Sequence, residues 1–418
     1  MIELQGTLKP GRVDLHVTIL TQQVSNYHVA RYKAASRAFR EVSVLSVRND
    51  ADFPEFLATR DWEGRLHRLC SGQGDYSKAV SDGSLWGRVV EALDGLRPDM
   101  VAVAGWAFPE SLAAIAWART NDRPVVIMSA SQAEDEPRRL HREYIKQRIV
   151  RCCDGALVGA ERHKAYIVRL GLVPESVFLG YDAVDNDYFA RAADEARTNG
   201  AARRSELSLP DRYLVATGRL IGKKNFPRLV AAFSSALKFG DYGHHLVIAG
   251  DGPERSAIEA AAATNGLSSR VHILGFRDYT TLPALYGLSE GFLHVSLVEQ
   301  WGLVINEAAA SALPLVVSYP CGACSALVQA GVNGYIVDPA DVSDMARGVA
   351  GVMALSPESR AAMGSKSREI VTNWGPERFA SGLAQAASSA RLAPNKKHRL
   401  IDKLLFRLLA RVQFSHVH

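Results

Sequence analysis

Two carboxylates, Glu299 and Glu307, stand eight positions apart in the run SLVEQWGLVINEAAASALPLVVS. The run reads as an apolar strand, a short turn, an alanine-rich helix and a second apolar strand. Glu299 closes the first strand, and Glu307 falls in the second turn of the helix. Gly302 opens that helix, so the unpaired backbone N–H groups of Leu303 and Val304 are available to an anion. Hydroxyl acceptors on either side of an anion-binding helix end are what a nucleotide-sugar pocket needs. The plainer reading is two solvated acids near a helix start, where the helix dipole favours acids anyway.

Cations come next. Gly218 and Arg219 follow the apolar run YLVATG, and Lys224 lies five residues after the arginine, with Lys223 as the competing lysine. A pyrophosphate leaving group gains negative charge as its bond breaks, so cations there are worth more in the transition state than in the ground state. Arginine forks two phosphate oxygens, whereas lysine supplies a mobile point charge. Gly250 and Gly252 flank Asp251 in a tight turn after HLVIAG, where glycine permits positive φ and close backbone approach. Turn-making is the plainer job for these two. In the first half, Asn26, His28 and Arg31 follow the first apolar run and open a helix, and Trp106 follows MVAVAG. The polar three could orient an acceptor hydroxyl or meet a donor phosphate, and the indole could stack on a sugar ring. Packing of His28 and Trp106 against a sheet is the alternative for each.

These residues need a scaffold. At 418 residues the chain exceeds one ordinary core, and two domains are the default. With 47% hydrophobic and 22% charged residues it is a folding, globular composition. A formal charge of +5 suits an anionic ligand or membrane surface without demanding nucleic acid. The opening segment MIELQGTLKPGR is polar, unlike a cleavable signal, and no apolar run approaches the ~20 residues of a spanning helix. The expected location is therefore cytoplasmic. The five cysteines show no disulfide framework; Cys321 and Cys324 form one C-x-x-C, for which a redox role is conceivable, and no second pair completes a zinc site.

Both halves alternate short apolar strands with helical stretches, the pattern of doubly wound α/β sheets. The strands read as LHVTIL, VSVLSV, MVAVAG, PVVIMS, GALVGA and SVFLGY, then YLVATG, HLVIAG, VHILGF, FLHVSL, LPLVVS and GYIVD. Helices are expected over Val29–Phe39, Pro109–Thr120 and Pro137–Arg151 among others. The stretch RAADEARTNGAARRSEL reads as linker-like.

Five motifs, VATGRLIGKKNFPRLVAAF, HHLVIAGDGPER, VHILGF, EQWGLVINEAA and AGVNGYIVDP, arrive in an order that resembles retaining glycosyltransferase family 4, with its E-x7-E element. The resemblance implies a GT-B fold: two Rossmann-like doubly wound domains facing each other across a cleft. It places an acceptor domain at residues 1–189 and a donor domain at 190–372, then a helix crossing back at 373–390 and a basic amphipathic tail at 391–418. It implies that Glu299 holds hydroxyls of the transferred sugar, Glu307 the ribose hydroxyls, and the Leu303 and Val304 amides the terminal phosphate. Arg219 and Lys224 match the family's phosphate-binding pair, and VHILGF lines the base. The implied activity is transfer of a sugar, of hexosyl type and with retention, from a nucleoside diphosphate donor to an acceptor hydroxyl. Bacterial cell-surface glycan, exopolysaccharide or lipopolysaccharide synthesis is the expected setting, on the strength of the basic amphipathic tail alone. Neither metal nor cofactor is implied.

The first half departs from the family. It lacks the glycine-rich loop after the first strand, and IMSASQAEDEPRR stands where the family carries a histidine, leaving Ser129, Ser131 and Asp135 as polar candidates. The tail NKKHRLIDKLLFRLLARVQF sets Ile401, Leu404, Leu405, Leu408 and Val412 on one stripe flanked by Lys403, Arg407 and Arg411. Such a stripe suits an anionic, peripheral membrane surface or docking on the first domain. Two other function classes stay open: a GT-B epimerase or phosphorylase, and a non-catalytic GT-B scaffold at the membrane.

Overall fold

The computed structural model describes residues 12–48, 65–240, 243–393 and 400–409. They fall into two compact units, one from 1–129, 138–181 and 376–418, the other from 130–137 and 182–375.

The first unit is built on seven strands: β1 (Val13–Thr21), β2 (Phe39–Ser46), β3 (Arg65–Arg68), β4 (Met100–Ala104), β5 (Val125–Ser129), β6 (Gly155–Val158) and β7 (Val177–Leu179). All pair in parallel, in the order β3-β2-β1-β4-β5-β6-β7. The second unit repeats the scheme with β8 (Tyr213–Thr217), β9 (His245–Ala249), β10 (Val271–Gly275), β11 (Gly291–His294), β12 (Leu315–Ser318) and β13 (Gly334–Val337), ordered β10-β9-β8-β11-β12-β13. Helices cover the sheets, which is why the strands are near-continuous apolar runs: VVIMS and YLVAT are buried at every position. The covering helices carry the matching stripe. In Phe226–Ala236, Phe226, Leu229, Val230 and Phe233 recur at helical spacing and are all buried in the second core.

In both sheets strand order reverses next to the first strand, between β1 and β4 and between β8 and β11. Loops leaving the carboxyl ends of strands at such a switch point form a crevice for ligands. The loops after β8 and β11 carry Gly218–Lys224 and Val295–Gly302.

Two sequence expectations change. The linker-like stretch is helical, over Asn186–Thr198 and Gly200–Glu206, because Phe189, Ala193 and Ala196 bury one face. The edge strand β3, RLHR, escaped reading since its charged residues show no apolar alternation, which is how edges resist mispairing. The tail helix Leu400–Leu409 packs on Pro109–Thr120 within the first unit, the docking alternative for this segment. Phe406 is fully buried and Asp402 pairs with Arg148, while Leu408 is 68% exposed. Of the stripe and its flanks, Arg411 and Val412 lie outside the described residues, as do the side chains of Ile401, Lys403 and Leu404.

Candidate functional site

Lys224 and Glu299 meet at the switch point of the second sheet. The Lys224 Nζ donates to Glu299 Oε2, although 75 residues separate them, and both side chains are largely buried. Lys224 closes a short turn, and Asn225 follows in the left-handed region (φ 64°), its amide tied to the carbonyls of Val295 and Pro339 at 3.1 and 2.9 Å. Lys223 contributes its backbone instead, accepting from the Leu297 N–H at 2.8 Å. Arg219 is exposed, and its guanidinium has no partner among the described residues.

A third group joins them. His294, the last residue of β11, is buried, and its Nε2 lies 3.4 Å from Glu299 Oε2 and 3.2 Å from Ser296 Oγ. Burial alone would raise the Glu299 carboxyl. Its hydrogen bond to His294 and the Lys224 charge outweigh that and hold it below the usual carboxylate range. Burial pushes His294 down, against the pull of Glu299, so its imidazole is neutral at pH 7. Glu299 is thus a fixed anion with a cation and a neutral ring on one oxygen.

Gly302 caps the helix Leu303–Ala310 with φ 97°. A Cβ there would sit 3.0 Å from Ile305 Cδ1, 3.3 Å from Glu299 Cγ and 3.5 Å from His294 Nε2, so the glycine lets the helix start beside both groups. Leu303 and Val304 form its first turn, with N–H groups that have no intrahelical acceptor. Trp301 secures the turn: its Nε1 donates to Asn306 Oδ1 at 2.8 Å, and its ring packs on Trp374 with centroids 5.3 Å apart.

Glu307 sits one turn further on and is fully buried. Its Oε2 accepts from the Tyr286 hydroxyl at 2.7 Å, which also meets Thr217 Oγ1 at 2.9 Å. Around the ends of β9 and β10, Gly250 and Gly252 act through close approach. A Cβ on Gly250 would lie 1.9 Å from the Gly218 carbonyl oxygen, and one on Gly252 would lie 2.6 Å from that of Leu220. The β8 and β9 loops are laced together by Gly218 N–H to Ala249 and Leu220 N–H to Asp251. Phe276, directly after β10, is 55% exposed.

Sequence reasoning missed Gln132. It lies in the departing stretch, within the segment 130–137 that belongs to the second unit. Its buried Nε2 donates to the carbonyls of Glu299 (3.1 Å) and Pro320 (2.9 Å), while Asp135 Oδ2 accepts from the Gln132 N–H and Ser131 Oγ meets Gln300 Nε2 at 3.4 Å. Nothing local signals this, because the partners lie more than 160 positions away. His294 did carry a signal: a lone histidine in an apolar strand, five residues before Glu299.

Among the first-half candidates, His28, Arg31 and Trp106 have structural partners within their own unit. His28 Nδ1 meets Ser25 N–H and Oγ at 3.2 and 2.7 Å, closing the start of Asn26–Ala38. Desolvation, then the Arg31 charge, push it down to about 3, so it stays neutral. Arg31 is buried over the Tyr181 ring. Trp106 packs edge-on to Tyr166 with the Lys146 ammonium over its face. Asn26 is partly buried at the helix start. Cys321 and Cys324 are buried free thiols, and burial pushes Cys321 up to about 12, the environment of an inert cysteine. Among the described residues no cluster of three His, Cys, Asp or Glu could hold a metal, and no helix is long and apolar enough to cross a membrane.

Residues 201–370 match the family model of glycosyl transferases group 1. An α-D-kanosaminyltransferase of Streptomyces kanamyceticus is 31% identical over 186 residues, 44% of this chain and 47% of the relative. An α-monoglucosyldiacylglycerol synthase of Acholeplasma laidlawii is 29% identical over 120 residues, 29% of this chain and 30% of that one. The chain spans about half the length, or less, of these curated relatives. A crystal structure of Anabaena HepE in complex with UDP and glucose superposes with a TM-score of 0.70 at 18% identity, covering 90% of this chain and all of that one. A sucrose-phosphate synthase of Thermosynechococcus elongatus gives 0.66 at 20% identity, covering 88% and 97%. The chain therefore has the GT-B fold of two Rossmann-like, parallel-sheet domains, and its second half is similar in sequence to the group 1 glycosyl transferases.

Proposed function

We propose that this protein is a retaining glycosyltransferase that moves a hexosyl group from a nucleoside diphosphate sugar to an acceptor hydroxyl. The observation that carries the reading is the pairing of Lys224 with Glu299 beside the open helix end at Gly302, on loops at the switch point. In this reading the diphosphate meets Lys224, the exposed Arg219 and the Leu303 and Val304 N–H groups. Glu299, held ionised, accepts hydroxyls of the sugar. Gly218, Gly250 and Gly252 shape the loops beneath, and Phe276 offers an exposed face near the base. Glu307 reaches the ribose only where the side chains sealing it give way; otherwise it serves the Tyr286–Thr217 network.

The acceptor oxygen bonds to the anomeric carbon on the face from which the carbon–phosphate oxygen bond breaks. The acceptor proton passes to the departing diphosphate oxygen. No side chain need act as nucleophile, and positioning with electrostatic stabilisation of the diphosphate supplies the rate.

The acceptor and the setting are further proposals. Leu140 and Tyr144 are exposed one helical turn apart, beside Arg139 and Arg142 in the first unit, and suit an acceptor presented on an anionic lipid surface in bacterial glycan synthesis. The reading places the enzyme on the cytoplasmic side of such a membrane.

The deciding experiment titrates the protein with nucleoside diphosphates, UDP first since HepE is solved with it, and follows the anomeric configuration of any product by NMR. A saturable thermal shift lost in Arg219→Ala, with a product of retained configuration, supports the reading. Mass action gives about 2.7 kcal/mol at a hundredfold excess over Kd, enough to see. No shift with any nucleotide rejects it.

A further inference from the structure

The second unit has a polar cavity of about 290 Å³, lined by Arg197, Arg360, Arg368, Ser289 and Ser365 with Ala361 and Leu313 among its apolar wall. Its place in the fold separates it from the site above. Ser289 stands just before β11, and Leu313 just before β12, so the cavity opens at the amino-terminal edge of the sheet. The candidate donor residues all follow the carboxyl ends. Strands of four residues at about 3.3 Å each put the two edges roughly 13 Å apart.

The charge balance is lopsided. Arg197 and Arg368 share Asp194, and Arg368 grips it with two bonds of 2.9 Å. Arg360 reaches Glu290, which is already held by Arg212 at 3.1 Å and His244 at 2.7 Å. Four guanidiniums (Arg197, Arg212, Arg360, Arg368) against two carboxylates (Asp194, Glu290) leave two positive charges. Arg360 spends only its Nη1 in described hydrogen bonds, so its Nε and second Nη remain to fork an anion. Burial, with the neighbouring Arg368, holds Arg197 below the ordinary guanidinium range despite Asp194.

The size argues for more than a bare ion. The cavity is several times the roughly 30 Å³ share of one water in the liquid, and Ser365 sets an exposed hydroxyl beside the arginines, whereas the Ser289 hydroxyl is spent on the Tyr213 and Gly291 backbone. We infer that this cavity is a second ligand site, which takes a small phosphate monoester such as a sugar phosphate, with the phosphoryl group on Arg360 and the polyol body toward Ser365 and Ala361.

The test is calorimetric titration of the full chain with glucose 6-phosphate and with inorganic phosphate, in saturating UDP to block the candidate donor site. Two variants accompany it. Arg360→Gln removes the free fork while Arg212 and His244 keep Glu290 paired, and Ala361→Trp fills the cavity from an exposed helix position. The expected result is saturable binding of the sugar phosphate, tighter than inorganic phosphate and weakened about tenfold or more in both variants with UDP binding unchanged. Absence of saturable binding, or equal binding in wild type and both variants, overturns the proposal. Phosphate binding as tightly as the sugar phosphate overturns the part assigned to the polyol body. Failure to bind UDP would count against the donor reading alone, since the variants still report on this cavity.

Discussion

Replacing Lys224 with methionine removes an ammonium from a place where it meets Glu299 with only 12% and 14% of the two side chains exposed. Breaking a buried ion pair strands the surviving charge and costs about 3–5 kcal/mol. The remaining exposure and the His294 contact put Lys224→Met at the low end, about 3 kcal/mol. For a domain of this size each kcal/mol moves Tm by about 2–4 °C, so a fall of roughly 6–12 °C is expected. Glu299→Gln strands Lys224 and should cost a similar amount. The double variant leaves neither charge, so its cost should fall short of the summed singles by at least about 1.5 kcal/mol. Urea unfolding followed by tryptophan fluorescence measures this, with Trp301 and Trp374 beside the site as reporters. Single costs that add within about 0.5 kcal/mol would refute the pairing and remove the main support for the proposed site.

The same pair predicts a pH dependence. Glu299 is depressed in the folded state from its ordinary 4.5. The folded state therefore binds fewer protons than the unfolded one below that value, and stability rises with pH there. The pair's contribution is complete above about pH 5, and is withdrawn as pH falls from 4.5 toward the lowered folded value. In the Lys224→Met/Glu299→Gln variant this acid-side loss should shrink, an outcome readable in the same titrations.

Three further outcomes follow from named contacts. Gln132→Ala removes two donors from the Glu299 and Pro320 carbonyls, and should lower kcat about tenfold while the UDP Kd stays put; equal loss in both parameters would argue for plain unfolding of the segment. Gly250→Ala forces a Cβ to within 1.9 Å of the Gly218 carbonyl and should cost about 4 kcal/mol or more, against little for Gly105→Ala apart from its positive φ, by chemical denaturation. Glu110 is fully buried on Gln22, and burial pushes it up to about 7, so the folded state holds a proton that the unfolded state has lost above 4.5. Its burial is thus favourable below pH 4.5 and costs progressively more up to pH 7, about 3 kcal/mol in all, a decline that Glu110→Gln should flatten in unfolding free energies at pH 5 and 8.

How far the chain could be read before its structure was known depended on where each partner lay. The strands of both sheets were legible because burial on two faces makes each a short apolar run, as VVIMS and YLVAT show. β3 was not, since an exposed edge strand has no such constraint. The stretch 191–207 read as linker because alanine and charge mask its helical stripe, whose large anchor, Phe189, lies just before it. Within the candidate site, Glu299, Gly302 and Leu303 are neighbours in sequence and could be grouped by spacing. The Lys224 contact comes from topology, through two strands that adjoin at the switch point. The Gln132 contact has neither spacing nor motif behind it, and only the path of the segment 130–137 reveals it.

That last contact bears on how the proposed site would work. Lys224 already has a carboxylate on its ammonium, so an arriving diphosphate must share or take that cation. Glu299 would then lose its strongest partner as its side chain is asked to accept sugar hydroxyls. It can stay ionised and in place because other groups hold it: His294 at 3.4 Å on the same oxygen, and Gln132 at 3.1 Å on its carbonyl. His294 is suited to this because it is neutral, since a second cation there would compete with Lys224 for the carboxylate. The expectation is a graded series in which His294→Ala leaves the UDP Kd intact and lowers turnover, and Lys224→Met harms both. If His294→Ala weakened UDP binding as much as Lys224→Met, the imidazole would belong to the phosphate subsite and the division of labour argued here would be wrong.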